Sequence, residues 1–283
     1  MTLRTTHVPV ASTATAPDRY LDCGTVRLRY RDEGSGPPVL LVHGWSLDLH
    51  MWDPQVAALR NVFRLVRLDR RGHGLSGGSP SAHQDAADLA ALCQQLQLTH
   101  VALLGMSQGA RAVLEFAAAA GEQVRALILD GAPDVTRPNP PEEVPIRHFR
   151  ALVRRGDLDA FRREWLTHPL MQLRTHDRRM HELLAEMVAR YRGADLLCPD
   201  GDTTRTTPPD LCRIRQPTLV ISGADDLPAR ALAAQQLATL LPAAEAAVIA
   251  DAAHLPNLDN PSRYNELCRS FLLRQFSRRS CDD

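Results

Sequence analysis

From Thr25 onward, short apolar runs alternate with longer stretches whose apolar residues recur at helical spacing. "TVRLRYRDEG", residues 25–34, alternates apolar and polar positions and predicts an exposed antiparallel strand. "PPVLLVHG", residues 37–44, is continuously apolar, as expected of a strand covered on both faces. "MWDPQVAALR" then predicts a short helix, "VFRLVRLD" a strand, and residues 83–98 a helix. "HVALLG" predicts the next strand, residues 110–120 the next helix, and "VRALILDGAP" a further strand. Repeated β-α order of this kind predicts a mostly parallel central sheet flanked by helices and joined by right-handed crossovers.

The pattern breaks at Asp134. "DVTRPNPPEEVP" is proline-rich punctuation, and amphipathic, arginine-rich helical stretches follow near 144–155, 158–166 and 178–191. "RQPTLVISG" resumes the sheet, followed by a helix over 229–240, a strand "EAAVIA" and a last helix over 262–276. The expected organisation is a flexible tail over residues 1–19, an α/β core from residues 20–133 and 212–283, and a helical cap from residues 134–211.

Composition narrows the function classes. Basic and acidic residues balance at 33 each, so no net field draws the chain to nucleic acid or to an anionic membrane. Every basic residue is arginine; without lysine, Schiff-base chemistry and lysine-dependent phosphate loops are excluded. The 6 cysteines are scattered without a C-x-x-C pair, which predicts free thiols in a reducing compartment. The first 20 residues lack the apolar core of a signal peptide, and no run reaches membrane-spanning length. A cytoplasmic location is expected.

The chemistry centres on "LLGMSQGARAVLEFA", where Ser107 sits between Gly105 and Gly109 at a predicted strand-to-helix turn. Such a turn strains the serine backbone and needs small residues two places to either side. It lifts the hydroxyl above the C-terminal edge of the sheet, where open α/β sheets bind ligands. A serine hydroxyl needs a base. His254, in "VIADAAHLPNLDNP", follows a predicted strand and supplies one; His43 and His73 lie in turns beside glycines and are expected to stabilise those turns. The base needs a carboxylate to fix its tautomer. Asp226 in "VISGADDLPAR" is the choice, with Asp225 as a turn or capping acid and Asp130 as a weaker alternative. Taken singly, Ser107 reads equally as a helix N-cap, Asp226 as a turn acid and His254 as a loop histidine; the three in order on strand ends point to catalysis.

Serine, aspartate and histidine in that order, with "LLVHGW", "LDRRGHGLS" and "NLDNP", resemble the α/β-hydrolase fold superfamily over residues 20–276. The resemblance implies a nucleophile at Ser107, a base at His254 and an acid at Asp226. It also implies an oxyanion hole built from the backbone N–H groups of Trp45 and Gln108, and a cap over the site. Trp165, His168 and Met171, in "REWLTHPLMQ", are candidates to face the substrate pocket; sealing the cap against the core is the equally good structural explanation. "HGWSLDLHMWDPQ" is similar to 3-oxoadipate enol-lactonases, and its "HGW" start also to pimeloyl-ester carboxylesterases. Ala110 departs from the commoner G-x-S-x-G-G pattern, and Gln108 stands where methionine or leucine is frequent. The function expected is cofactor-free and metal-free hydrolysis of a small carboxylic ester or lactone. C–C bond hydrolysis, a cofactor-free non-hydrolytic reaction on the same groups, and a low-turnover ligand receptor are the alternatives.

Overall fold

A computed structural model of the chain describes residues 16–136, 143–198 and 209–277. In chain order it contains β1 (Arg19–Cys23), β2 (Val26–Glu33), β3 (Pro38–Val42), α1 (Asp53–Leu59), β4 (Arg64–Leu68), α2 (Ala82–Gln95), β5 (Val101–Met106), α3 (Gln108–Ala119) and β6 (Val124–Asp130). Then come α4 (Ile146–Arg154), α5 (Leu158–Thr167), α6 (Arg178–Arg190) and α7 (Ala194–Leu197). β7 (Thr218–Gly223), α8 (Pro228–Leu240), β8 (Ala244–Ile249), α9 (Pro256–Asp259) and α10 (Pro261–Ser277) complete it.

The strands form one sheet in the order β1-β2-β4-β3-β5-β6-β7-β8. β1 with β2 and β2 with β4 pair antiparallel; every other pairing is parallel. Period two explains why the central strands are apolar throughout. Val39 and Leu41 face one core with Leu104 and Ile128, whereas Leu40 and Val42 face the other with Leu103 and Leu127. α2, α3 and α8 cover the second face, and α1 and α10 the first.

Three details differ from the sequence expectation. A strand, β1, begins at Arg19, inside the expected tail; residues 1–15 of that tail lie outside the described residues. "RYLDC" buries only Leu21, so it carries no periodicity to read. α7 and α9 are each 4 residues long, too short to leave a periodic signal. Between β6 and β7, α5 packs Phe161 and Trp165 edge-on against Trp45, which follows β3, and α4 packs Phe149 on that pair. Residues 137–142 and 199–208 of the expected cap lie outside the described residues.

Candidate active site

Ser107 is the single residue between β5 and α3, with φ 52° and ψ −116°, a conformation that L residues rarely adopt. The surroundings enforce it. A Cβ on Gly105 would stand 2.4 Å from the Gly109 carbonyl oxygen, and one on Gly109 2.2 Å from that of Val42. Helix, elbow and sheet thus approach as closely as backbones can. The Ser107 N–H donates to the Asp130 carbonyl at 2.8 Å, tying the elbow to β6. Gln108 opens α3, so its N–H has no acceptor within the helix. Its side chain accepts from Arg70 at 3.3 Å, and Arg70 is held in turn by Asp85.

His254 lies in the loop after β8, and its Nδ1 is 3.0 Å from Asp226 Oδ2. Both side chains are buried. The other Asp226 oxygen accepts from the Leu227 N–H at 2.7 Å, which fixes the carboxylate plane. Nδ1 therefore donates to Asp226, leaving Nε2 as the basic nitrogen. The histidine loop is anchored from behind: Asp259 Oδ2 accepts from the Ala253 N–H at 2.7 Å, while its Oδ1 accepts from the N–H groups of Arg174 and Thr175 at 2.5 and 3.1 Å.

Asp130 does not meet the imidazole. It is buried beside the Tyr264 hydroxyl, outside good hydrogen-bond geometry, and burial pushes its pKa well above the ordinary aspartate value. Asp225 caps no helix; its exposed carboxylate reaches Arg174 at 3.4 Å. His43 accepts from the Arg70 N–H at Nε2 (2.9 Å) and donates from Nδ1 to the Gly44 carbonyl (2.7 Å). Burial holds it neutral, the form that this pair of bonds requires.

Ser107, Gln108 and His254 line one cavity of about 60 Å³, on the scale of a few water molecules. Trp45 also lines it, its indole N–H donating to Asp195 at 2.6 Å. From the helical segment come Val144, Trp165, Leu170 and Met171. Trp165 packs edge-on to Trp45 and donates to Ser46 Oγ at 2.6 Å. His168 is set back from the cavity wall: its ring lies against Trp165 at 4.8 Å, and its Nδ1 accepts from the Leu170 N–H at 3.3 Å. Of the three pocket candidates, the structure thus brings Trp165 and Met171 to the cavity and not His168. The Leu170 N–H bond to Nδ1 and the neighbouring Glu143 hold that imidazole behind the cavity wall.

Sequence reasoning missed Arg230 on the cavity wall and Asp195 behind Trp45. Arg230 left a trace: with Ala233, Ala234 and Leu237 it completes the buried stripe of α8, an odd place for a charged side chain. Among the described residues no group of three or more His, Cys, Asp or Glu side chains is placed to hold a metal ion, and no helix is long and apolar enough to cross a membrane.

Residues 37–261 match the family model described as alpha/beta hydrolase fold. The chain is 35% identical over 128 residues to a non-heme haloperoxidase of Rhodococcus erythropolis, a match covering 42% of this chain and 47% of that protein. It thus spans about half the length of the curated relative it matches there. A non-heme chloroperoxidase of Burkholderia pyrrocinia is 30% identical over 228 residues, 71% of this chain and 79% of that one. Among solved structures, a thermophilic esterase from Thermogutta terrifontis (malate bound) superposes with a TM-score of 0.75 at 25% identity, covering 92% of this chain and 99% of the other. By fold, by sheet order and by a family match that spans most of its length, the chain belongs to the alpha/beta hydrolase fold family.

Proposed function

We propose that this protein is a serine hydrolase that cleaves a small carboxylic ester or lactone through an acyl-enzyme. The observation that carries this reading is the His254–Asp226 hydrogen bond in a buried site whose cavity also exposes Ser107. His254 Nε2 takes the Ser107 proton as the oxygen attacks the carbonyl, then returns it to the leaving alcohol. Asp226 holds the imidazole in the required tautomer and stabilises the imidazolium. The N–H groups of Trp45 and Gln108 receive the oxyanion, each worth about 10²–10³ in rate. Water activated by the same histidine releases the acid.

The helices between β6 and β7 act as a cap, since four residues of that segment line the cavity. The cavity's size favours short acyl groups. The free thiols of Cys23, Cys93, Cys198, Cys212 and Cys268 fit a reducing cytoplasm. The esterase similarity supports an ester substrate. The haloperoxidase similarities favour a second reading, a cofactor-free reaction other than hydrolysis on the same groups. Replacing Ser107 by Ala is the test. Turnover of p-nitrophenyl acetate and labelling by a fluorophosphonate should both disappear, with turnover falling on the order of 10⁶-fold. Unchanged hydrolysis by the folded variant refutes the serine mechanism.

A further inference from the structure

Arg230 is the one permanently charged side chain among the described residues that line the cavity. It is 7% exposed, and the wall around it is otherwise apolar or formed by the neutral groups of the proposed reaction. Its position is fixed from two sides. Nη1 donates to the Gly131 carbonyl at 3.1 Å, and Nη2 stands 2.6 Å from Glu143 Oε2. Gly131 itself packs on the imidazole: a Cβ there would stand 2.9 Å from His254 Cε1. The guanidinium is therefore held one residue away from the reacting groups.

Its pairing is incomplete. Arg230 Nε is buried with no partner among the described residues, and so is Glu143 Oε1. A guanidinium carries five N–H donors, and the two bonds described use two of them. A permanent charge buried in this way is retained at a considerable desolvation penalty, and Glu143 offsets only part of it. Glu143 does not line the cavity, so a substrate entering beside Ser107 meets the positive partner alone. A substrate carboxylate at the wall would meet guanidinium N–H groups that these two bonds leave free, in competition with Glu143.

We propose that Arg230 is a specificity-determining residue that selects esters or lactones bearing a carboxylate a short chain from the scissile carbonyl, with Glu143 as the internal carboxylate against which that group competes. The assignment rests on the serine-hydrolase reading of the site. It goes further by naming the charge of the substrate.

The experiment compares mono-p-nitrophenyl succinate with p-nitrophenyl butyrate, and 4-carboxyphenyl acetate with phenyl acetate. The first pair places the carboxylate on the acyl half, the second on the alcohol half. In the wild-type protein kcat/KM for one anionic member should exceed its neutral partner at least tenfold, and the pair that shows this locates the carboxylate. Arg230→Gln should lower that ratio tenfold or more, mainly through KM of the anionic ester. Glu143→Gln should raise it, an opposite movement that a merely structural ion pair does not produce. Binding of monomethyl succinate to the Ser107→Ala protein, read as a thermal shift and lost with Arg230→Gln, gives a readout independent of turnover.

Turnover of none of the four esters, with Ser107 inert to fluorophosphonate, overturns the hydrolase reading, and the binding measurement then decides the anion site alone. Hydrolysis of both members of both pairs with wild-type ratios at or below one overturns the assignment of Arg230 and leaves the hydrolase reading standing. If Arg230→Gln fails to fold, the wild-type ratios and Glu143→Gln still decide.

Discussion

Trp45 and Asp195 are 150 positions apart in the chain and joined by a 2.6 Å hydrogen bond from indole to carboxylate. The second Asp195 oxygen accepts from the Tyr191 hydroxyl, so one buried acid holds two aromatic side chains, of which Trp45 forms part of the cavity wall. Asp195→Ala orphans both donors and should lower the unfolding free energy by about 1–3 kcal/mol for each. Because Trp45 also carries a proposed oxyanion N–H, kcat should fall as well. Urea denaturation and steady-state kinetics on the same variant check both, and Asp195→Asn, which keeps one acceptor, should lie between it and the wild type.

The Ser107 elbow makes a sharper prediction about stability. Gly109→Ala sets a methyl group against the Val42 backbone, which has no rotamer by which to yield. The loss should be about 3 kcal/mol, at the upper end for overpacking. Thermal unfolding measures it; a Tm within a degree or two of wild type would show that helix and sheet can separate freely there.

Asp226→Asn preserves shape while removing the acceptor that selects the imidazole tautomer. The side-chain amide presents N–H where Nδ1–H now points, and kcat should drop on the order of 10⁴-fold with little change in stability. Comparing ester hydrolysis with circular dichroism separates the two. Asp130→Asn, by contrast, should leave most of the turnover in place, since Asp130 does not touch His254.

Asp130 instead governs a pH dependence of stability. Its folded-state pKa stands well above the ordinary value of 3.8, so above that pH the folded chain keeps a proton that the unfolded chain has released. Stability conferred relative to Asp130→Asn is therefore largest at low pH and declines as pH rises, by about 1.4 kcal/mol per unit until the folded group ionises. Denaturant midpoints of both proteins measured from pH 4.5 to 9 should converge or cross in that direction. A difference independent of pH would mean that the carboxyl is ionised in the fold.

What the sequence disclosed, and what it withheld, divides by the range of the interaction. Ser107, Asp226 and His254 were legible because each follows a strand whose apolar run is local and whose end is marked by glycine or aspartate. β2 keeps the expected antiparallel pairing but not the expected exposure: Leu28, Arg29, Tyr30 and Glu33 are buried, and the alternation is one of charge, because Asp69 and Arg67 pair with Arg29 and Glu33 inside the fold. Arg230, Asp195 and Asp259 were not, because each acts on residues brought to it only by folding: Glu143, Trp45 and the Arg174 backbone respectively. His168 packs its ring on Trp165, yet it stands behind the cavity wall that Trp165 and Met171 form, an arrangement set by folding and not by local spacing.

The carboxylate of Asp259 joins two parts of the chain that evolution would otherwise be free to exchange separately. Amides of residues 174 and 175, from the inserted helices, and the amide of residue 253, from the segment carrying the imidazole, converge on one side chain. A chimaera that swaps in the insertion of another member of the fold must therefore bring compatible backbone at this junction, or the histidine loses its mooring. Domain shuffling here is constrained by a single acid that takes no part in the cavity wall.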